Sequence, residues 1–222
     1  MTEQSIPILE MAERYKKVYT PAIADILDER GLFQQVLPPQ IQALAPGMRV
    51  AGPAQTVKGT RTTVHKDEYL AIAVRGFADM EPGTIAVYDT SNDPATAHWG
   101  ELVSTAAGLR GCGGAVIDGG VRDVEQIIEM GFPIFARYRT PADIRGRWRY
   151  VEVGIPIRIG EVLVHPGDFV VGDPNGVVVV PKDLAVEVLL EAEKVVEMEN
   201  KIREELRAGE DPMKLYVKYG RF

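Results

Sequence analysis

The chain has 222 residues, is 45% hydrophobic and 26% charged, and carries a formal net charge of −7. That length suits one globular domain over residues 1–222 and buries a core without disulfides or a structural metal. The negative balance argues against general attraction to nucleic acid. The longest apolar runs, such as Val177–Val180, are far too short to cross a bilayer. Met1–Pro7 has neither a basic start nor an apolar stretch, so a cytoplasmic protein is expected.

Residues Ile8 to Val18 have helical spacing. Thr20-Pro21 reads as an N-cap with proline at the first helical position, and the helix Ala22–Glu29 stops at Gly31. A β-rich stretch follows from Met48 through Val57, then a helix over Tyr69–Phe77. Pro82-Gly83 turns the chain into a strand over Thr84–Tyr88. Gly100–Leu109 is helical and Ala115-Val116-Ile117 forms a buried strand ending at Asp118. Gly119-Gly120 is expected as a turn before a helix from Arg122 to Met130, and Pro133–Tyr138 is again a strand. This alternation points to an α/β fold whose sheet is at least partly parallel.

Between those elements and the C-terminus the pattern becomes short β segments separated by Gly160, Pro166-Gly167-Asp168 and Asp173-Pro174-Asn175-Gly176. A long C-terminal helix then runs over about residues 183–208, ended by Gly209. Glu199 falls inside its apolar stripe, between Val196 and Ile202. Either the helix leaves the core there and Glu199 is solvated, or it packs on a neighbouring subunit and presents Glu199 to a polar site. Cys112 is the only cysteine, which excludes an intrachain disulfide and a Cys-based zinc site and reads as a small buried hydrophobe. Arg145, Arg147 and Arg149 cluster with Trp148 and Tyr150; such a cluster could meet an anion or sit on a solvated loop, and the loop is favoured because blocks of charge are usually surface. His65, His98 and His165 show no repeated imidazole spacing, which argues against a His-rich zinc site; for His98 a structural hydrogen bond is expected.

Three ionisable groups stand where α/β folds bind ligands, at helix starts beside the carboxyl ends of strands. Glu101 follows Gly100 in the first turn of one helix, and Arg122 and Asp123 open the next. Helix starts offer unpaired N–H groups to an anion, and Gly100, Gly119 and Gly120 are expected to let the backbone approach it. Carboxylates with water suit a hard cation such as Mg²⁺ or Mn²⁺, and an arginine beside them grips a planar α-keto acid. A polarised keto oxygen is the electron sink that carbon–carbon cleavage or β-keto acid decarboxylation requires.

The run Trp99-Gly100-Glu101, Ala106-Ala107, Arg110-Gly111, Gly114 and Val116 through Asp123 resembles the RraA-like family, specifically its 4-hydroxy-4-methyl-2-oxoglutarate / 4-carboxy-4-hydroxy-2-oxoadipate aldolase branch. The likeness extends to Thr20–Asp25, Asp28, Pro82-Gly83, Asp89, Pro166-Gly167-Asp168 and Gly176–Pro181. Its specific element is an acidic residue, twenty intervening residues and Arg-Asp, here Glu101 and Arg122-Asp123. The resemblance implies a swivelling β/β/α fold, with a central mixed sheet flanked by helices and a long C-terminal helix. It implies a metal-dependent lyase that releases pyruvate, with oxaloacetate decarboxylase activity. Asp123 would be the direct ligand of Mg²⁺ or Mn²⁺. Arg122 would bind the pyruvyl carboxylate and keto oxygen and lower the pKa of a metal-bound water. Glu101 would hold metal-bound waters, and the backbone of Gly100, Glu101 and Leu102 would receive the substrate carboxylate. The family's trimers or dimers of trimers place active sites between subunits, and Glu199 is the candidate for the glutamate a neighbour contributes. Two features depart from the pattern: Glu101 stands where Asp is commoner, and Pro141–Val153 is rich in arginine and aromatics instead of glycine.

The same family supports a non-catalytic alternative, a ring-shaped protein that binds and inhibits an endoribonuclease or helicase. Regulator-type members lack the acidic residue after the arginine, whereas Asp123 is present here. Methyl transfer finds no glycine-rich nucleotide loop, because Gly111-Cys112-Gly113-Gly114 precedes a strand instead of following one.

Overall fold

Apolar residues recur along one side of α1 (Ile8–Tyr15) and α2 (Thr20–Glu29), burying Met11, Ala12, Tyr15, Ile23, Ile26 and Leu27. Thr20 is the first helical residue and not the cap. Tyr19 holds the cap position, while the Thr20 N–H and hydroxyl both donate to the buried Asp173 carboxylate at 3.0 and 2.7 Å. The computed structural model describes residues 6–64, 66, 71, 72, 76 and 80–220. His65 and most of the helix expected over Tyr69–Phe77 lie outside them.

The strands are β1 (Gln42–Ala43), β2 (Val50–Arg61), β3 (Ile85–Asp89), β4 (Ala97–Trp99), β5 (Gly114–Val121), β6 (Ile134–Arg139), β7 (Trp148–Val153), β8 (Ile157–Ile159), β9 (Val162–Val164), β10 (Phe169–Asp173) and β11 (Gly176–Val180). Nine of them form one mixed sheet in the order β1-β6-β5-β3-β2-β10-β11, with β4 added to β5 and β7 to β2. The β2, β3, β5 and β6 pairings are parallel and the flanking β10–β11 hairpin is antiparallel. α3 (Glu101–Leu109) and α4 (Val124–Glu129) connect the parallel strands, and α5 (Ala185–Arg207) and α6 (Pro212–Tyr219) close the chain.

Strand periodicity sorts the core into layers. Ile85, Val87, Val116, Val170, Val177 and Val179 point to one face, where the β8–β9 hairpin supplies Ile157, Ile159, Val162 and Val164. Their neighbours point the other way: Phe169, Val171, Val178 and Val180 pack on α1, α2 and α5. Ala86, Tyr88, Ala115 and Ile117 pack toward α3 and α4. A sheet buried on both faces explains the near-continuous apolar runs of β5 and β11. Among the described residues no helix is long and apolar enough to cross a membrane.

Several boundaries differ from expectation. β5 runs through Val121, so Asp118, Gly119 and Gly120 belong to the strand and form no turn. Helix α4 begins only at Val124, leaving Arg122 and Asp123 in the connection. Glycines 119 and 120 make room for rings instead of a ligand: a Cβ on Gly119 would lie 2.4 Å from His98 Nδ1, and one on Gly120 would lie 2.4 Å from Tyr138 Cε2. The 182–207 segment is helical as expected, opened by a 3₁₀ turn at Lys182–Leu184.

Candidate active site

The short strand β4 creates the site. It pairs parallel with β5, Trp99 opposite Val121, so the residues that follow each strand emerge side by side. The Arg122 N–H donates to the Trp99 carbonyl at 3.0 Å and locks the two exits together. Gly100-Glu101 therefore meets Arg122-Asp123 despite the separation in sequence. Trp99 anchors the junction from below: it is buried, stands edge-on to Tyr88 at 5.4 Å, and its indole N–H donates to Ser104 Oγ at 2.8 Å.

Asp123 adopts left-handed backbone angles, φ 55° and ψ 40°, a region that L-residues visit rarely and Asp tolerates better than most. This conformation turns its carboxylate back onto the start of α3, where Oδ2 accepts the Glu101 N–H at 3.1 Å. Oδ1 has no hydrogen-bond partner among the described residues. Only glycine at 100 permits the approach, since a Cβ there would stand 2.6 Å from Asp123 Oδ2 and 3.2 Å from Arg122 Cγ. The N–H groups of Leu102 and Val103, in the same first turn, have no acceptor among the described residues, which is the ordinary state of an uncapped helix start.

Arg122 is held at two points. Nη1 donates to Asp143 Oδ2 at 2.8 Å and Nε lies 3.6 Å from Asp123 Oδ2. Both pairs are partly open to water, with Arg122 39% and Asp123 41% exposed. These residues, with Gly100, Leu102, Trp148 and Tyr150, line a cleft of about 500 Å³.

Behind the cleft, His98 occupies the irregularity in the β4–β5 ladder. Its Nδ1 accepts the Gly120 N–H at 3.2 Å, which places the ring proton on Nε2, 3.1 Å from Asp93 Oδ2. Burial pushes its pKa down to about 4, against the opposing pull of Asp93. The imidazole is a neutral brace, edge-on to Trp148 at 4.9 Å, in keeping with the structural role expected for it. Cys112 is buried and its thiol is pushed up by burial, as a small core residue.

Of the residues singled out in the sequence, Gly100, Leu102, Arg122 and Asp123 come together. Glu101 contributes its N–H, but its carboxylate accepts from the Thr105 hydroxyl at 2.7 Å along its own helix and does not line the cleft. Leu102 lines the cleft and is 77% exposed. Glu199 does not join these residues within the chain: α5 packs on α1 and α2, and Glu199 accepts a short hydrogen bond from the Tyr19 hydroxyl. The helix contributes to the α1–α2 core only as far as Val195 and Val196; Ile202 beyond them is buried, and Glu199 is half-buried instead of fully solvated. The arginine-rich segment is not a merely solvated loop. Trp148 and Tyr150 are core residues of β7, and Arg145, Arg147 and Arg149 line the cleft. Asp143 was missed altogether; its spacing from the arginines carries no local motif, and only the folded loop brings it to Arg122.

The family model for RraA-like proteins (Aldolase/RraA) matches residues 20–179. A Halalkalibacterium halodurans protein named "Putative 4-hydroxy-4-methyl-2-oxoglutarate aldolase" is 33% identical over 186 residues, 84% of this chain and 83% of that one. The uncharacterized protein MJ0644 of Methanocaldococcus jannaschii is 42% identical over 125 residues, 52% of this chain and only 55% of its own length. Among solved structures, Streptomyces coelicolor RraAS2, described as an unusual member of the RNase ES inhibitor RraA protein family, superposes with a TM-score of 0.81. It is 26% identical, with 90% of this chain and 100% of that chain covered.

Proposed function

This chain belongs to the RraA-like family, and we propose that it is a divalent-metal-dependent pyruvate aldolase of 4-hydroxy-4-methyl-2-oxoglutarate-type 4-hydroxy-2-oxo acids, with oxaloacetate decarboxylation as a companion activity. The observation that carries the reading is the junction where Arg122, Asp123 and the open first turn of α3 face one cleft.

The substrate's carboxylate and keto oxygen lie in one plane, which suits the fork of Arg122, already oriented by Asp143. The free N–H groups of Leu102 and Val103 supply two further donors at a helix start. As the C3–C4 bond breaks, its electron pair forms the enolate of pyruvate. The C4 hydroxyl loses its proton and becomes the carbonyl of the departing product, and C3 then takes up a proton. Arg122 opposes the negative charge gathering on the former keto oxygen, which is where fixed donors accelerate such reactions most.

Asp123 suits a hard cation: it is an oxygen donor, half exposed, with Oδ1 uncommitted among the described residues. Mg²⁺ or Mn²⁺ held there would supply Lewis-acid stabilisation of the enolate oxygen. Glu101, once released from Thr105, would order water at the same rim. In a homotrimer or dimer of trimers, Glu199 would reach a neighbour's cleft by exchanging its bond to Tyr19.

Titration of Mn²⁺, followed by its paramagnetic resonance, together with pyruvate release from 4-hydroxy-4-methyl-2-oxoglutarate, tests this reading. Mn²⁺ binding lost in Asp123→Ala and turnover abolished by EDTA support it; metal-independent turnover refutes it. The likeness to RraAS2 favours a second reading, inhibition of an endoribonuclease. That reading gains support only if the protein inhibits such a nuclease, with Asp123→Ala inhibiting equally well.

A further inference from the structure

We propose that Leu102, Val103, Ile144 and Trp148 form an apolar subsite beside Arg122, and that the keto acid cleaved there carries on C4 a branched alkyl or aryl group larger than methyl. The inference rests on the aldolase reading above and goes beyond the 4-methyl substrate named there.

Asp143 fixes where the subsite lies. Its Oδ2 accepts from Arg122 Nη1 at 2.8 Å, so the next residue, Ile144, is held close to the guanidinium that would grip the keto acid. The turn that follows is tight. The Ile144 carbonyl accepts the N–H groups of Arg147 and Trp148, both at 2.9 Å, and Arg147 Nη1 donates to the Asp143 carbonyl at 3.0 Å. Trp148 is buried, with its indole N–H donating to the Thr90 carbonyl at 3.0 Å. Ile144 is partly buried against the core cluster that contains Trp148, while Arg145 and Arg147 between them are exposed. The segment therefore turns its apolar residues inward, and it is the segment whose composition departs from the family pattern.

The first turn of α3 supplies the rest. Val103 packs on the same core cluster as Ile144, and Leu102 beside it is 77% exposed. All four residues line the cleft that Arg122 and Asp123 share. A single exposed leucine needs no account, but this one continues an apolar surface drawn from α3, the connection before β7 and β7 itself. A methyl group is too small to touch side chains from three elements. A branched alkyl or phenyl group spans them at the contact distances of about 4.0–4.5 Å that apolar packing requires. A cleft of about 500 Å³ has room for it and falls in the range of sites that enclose drug-sized ligands. Release of pyruvate requires C3 to be unsubstituted, so C4 is the first carbon that can carry the group.

The test uses three 2-oxo acids that differ only at C4: 2-oxobutanoate, 2-oxopentanoate and 2-oxo-4-phenylbutanoate, with hydrogen, methyl and phenyl there. None has a C4 hydroxyl, so none undergoes the cleavage and binding is read alone. Calorimetry of the full chain with Mg²⁺ is expected to show affinity rising along the series, the phenyl compound binding about tenfold more tightly than the methyl one. Leu102→Ala and Ile144→Ala should each cut that preference by about twofold to fourfold, with 2-oxobutanoate affinity unchanged. Leu102 is largely exposed, so its variant keeps the fold whatever Ile144→Ala does to the loop. Pyruvate release should follow suit: the kcat/KM advantage of 4-hydroxy-2-oxo-4-phenylbutanoate, cleaved to pyruvate and benzaldehyde, over 4-hydroxy-2-oxopentanoate should shrink in Leu102→Ala. Equal affinities across the series in the wild type overturn the subsite and leave the aldolase reading standing. A phenyl preference unchanged in both variants also overturns it. A preference that vanishes in high salt overturns it in favour of the ring lying on the arginines. Failure of the wild type to bind any of the three overturns the aldolase reading, and the subsite with it.

Discussion

Gly100→Ala separates the needs of the fold from those of the site. Its φ of −153° is extended backbone that alanine adopts freely, so no backbone strain follows. The added Cβ, however, would stand 2.6 Å from Asp123 Oδ2. Ordinary C···O contacts are about 3.3–3.6 Å, so the carboxylate must retreat by roughly 0.7–1 Å. It is the end of a short, half-exposed side chain and gives way at little cost, but the bond from the Glu101 N–H is lost and the proposed metal ligand is displaced. The stability cost is about one charge-assisted hydrogen bond, roughly 1.5 kcal/mol, or a fall in Tm of about 3–6 °C for a domain of this size. Misplacement of about 1 Å in a reacting constellation costs on the order of 100-fold. Thermal unfolding and steady-state pyruvate release, run side by side, should therefore show a folded protein with kcat/KM reduced about 100-fold. Full activity in Gly100→Ala would refute the reasoning, because Asp123 would then not need its observed position; global unfolding would refute it from the other side.

Three further outcomes follow from buried or paired groups. His98 has a folded pKa of about 4 against an unfolded 6.5, so its contribution to stability is fully present above pH 6.5 and is lost as pH falls toward 4. Up to about 3 kcal/mol is at stake, and a Tm–pH series should show His98→Gln with a shallower acid limb than the wild type. Asp143→Asn removes an ion pair that is largely open to water, so denaturant midpoints should move by no more than about 1 kcal/mol, while KM for the keto acid rises about fivefold to tenfold as Arg122 loses its orienting partner. Arg137→Met strands the buried Asp118 carboxylate, whose pKa burial already raises, and should cost about 3–5 kcal/mol near neutral pH. Because a carboxyl raised in the folded state is penalised above its folded pKa, that variant should recover part of the deficit as pH falls; a deficit constant with pH would contradict the assignment.

The architecture was legible where hydrophobic periodicity is strong. Alternating residues in Ile85–Tyr88, Ala115–Ile117 and Val177–Val180, and the stripe from Ala185 to Ile202, mark a two-faced sheet and its C-terminal helix. Short elements were not. β4 has three residues, too few for a period, yet it is the element that places Glu101 beside Arg122. Helix α6 was missed although Asp211-Pro212 and Gly220 carry its cap signals, with the Asp211 carboxylate accepting the N–H groups of Met213 and Lys214. Glycine was read correctly as a mark of close approach and wrongly as to what approaches: at 119 and 120 it is the rings of His98 and Tyr138. Asp143 and the orientation of Arg147 depend on a loop fold that no local pattern encodes. The direction of Glu101, folded back on Thr105, is likewise a rotamer choice invisible in residue order.

The central claim is that Arg122 and Asp123 form a metal-dependent site for carbon–carbon cleavage. Its most direct test is pyruvate release from 4-hydroxy-4-methyl-2-oxoglutarate, coupled to a reporter dehydrogenase, with Mg²⁺, with EDTA, and with Asp123→Ala. Turnover that requires Mg²⁺ and disappears in the variant is the predicted result. Turnover that persists in EDTA or in Asp123→Ala, or a folded wild type that binds Mg²⁺ and the keto acid without releasing pyruvate, would contradict it.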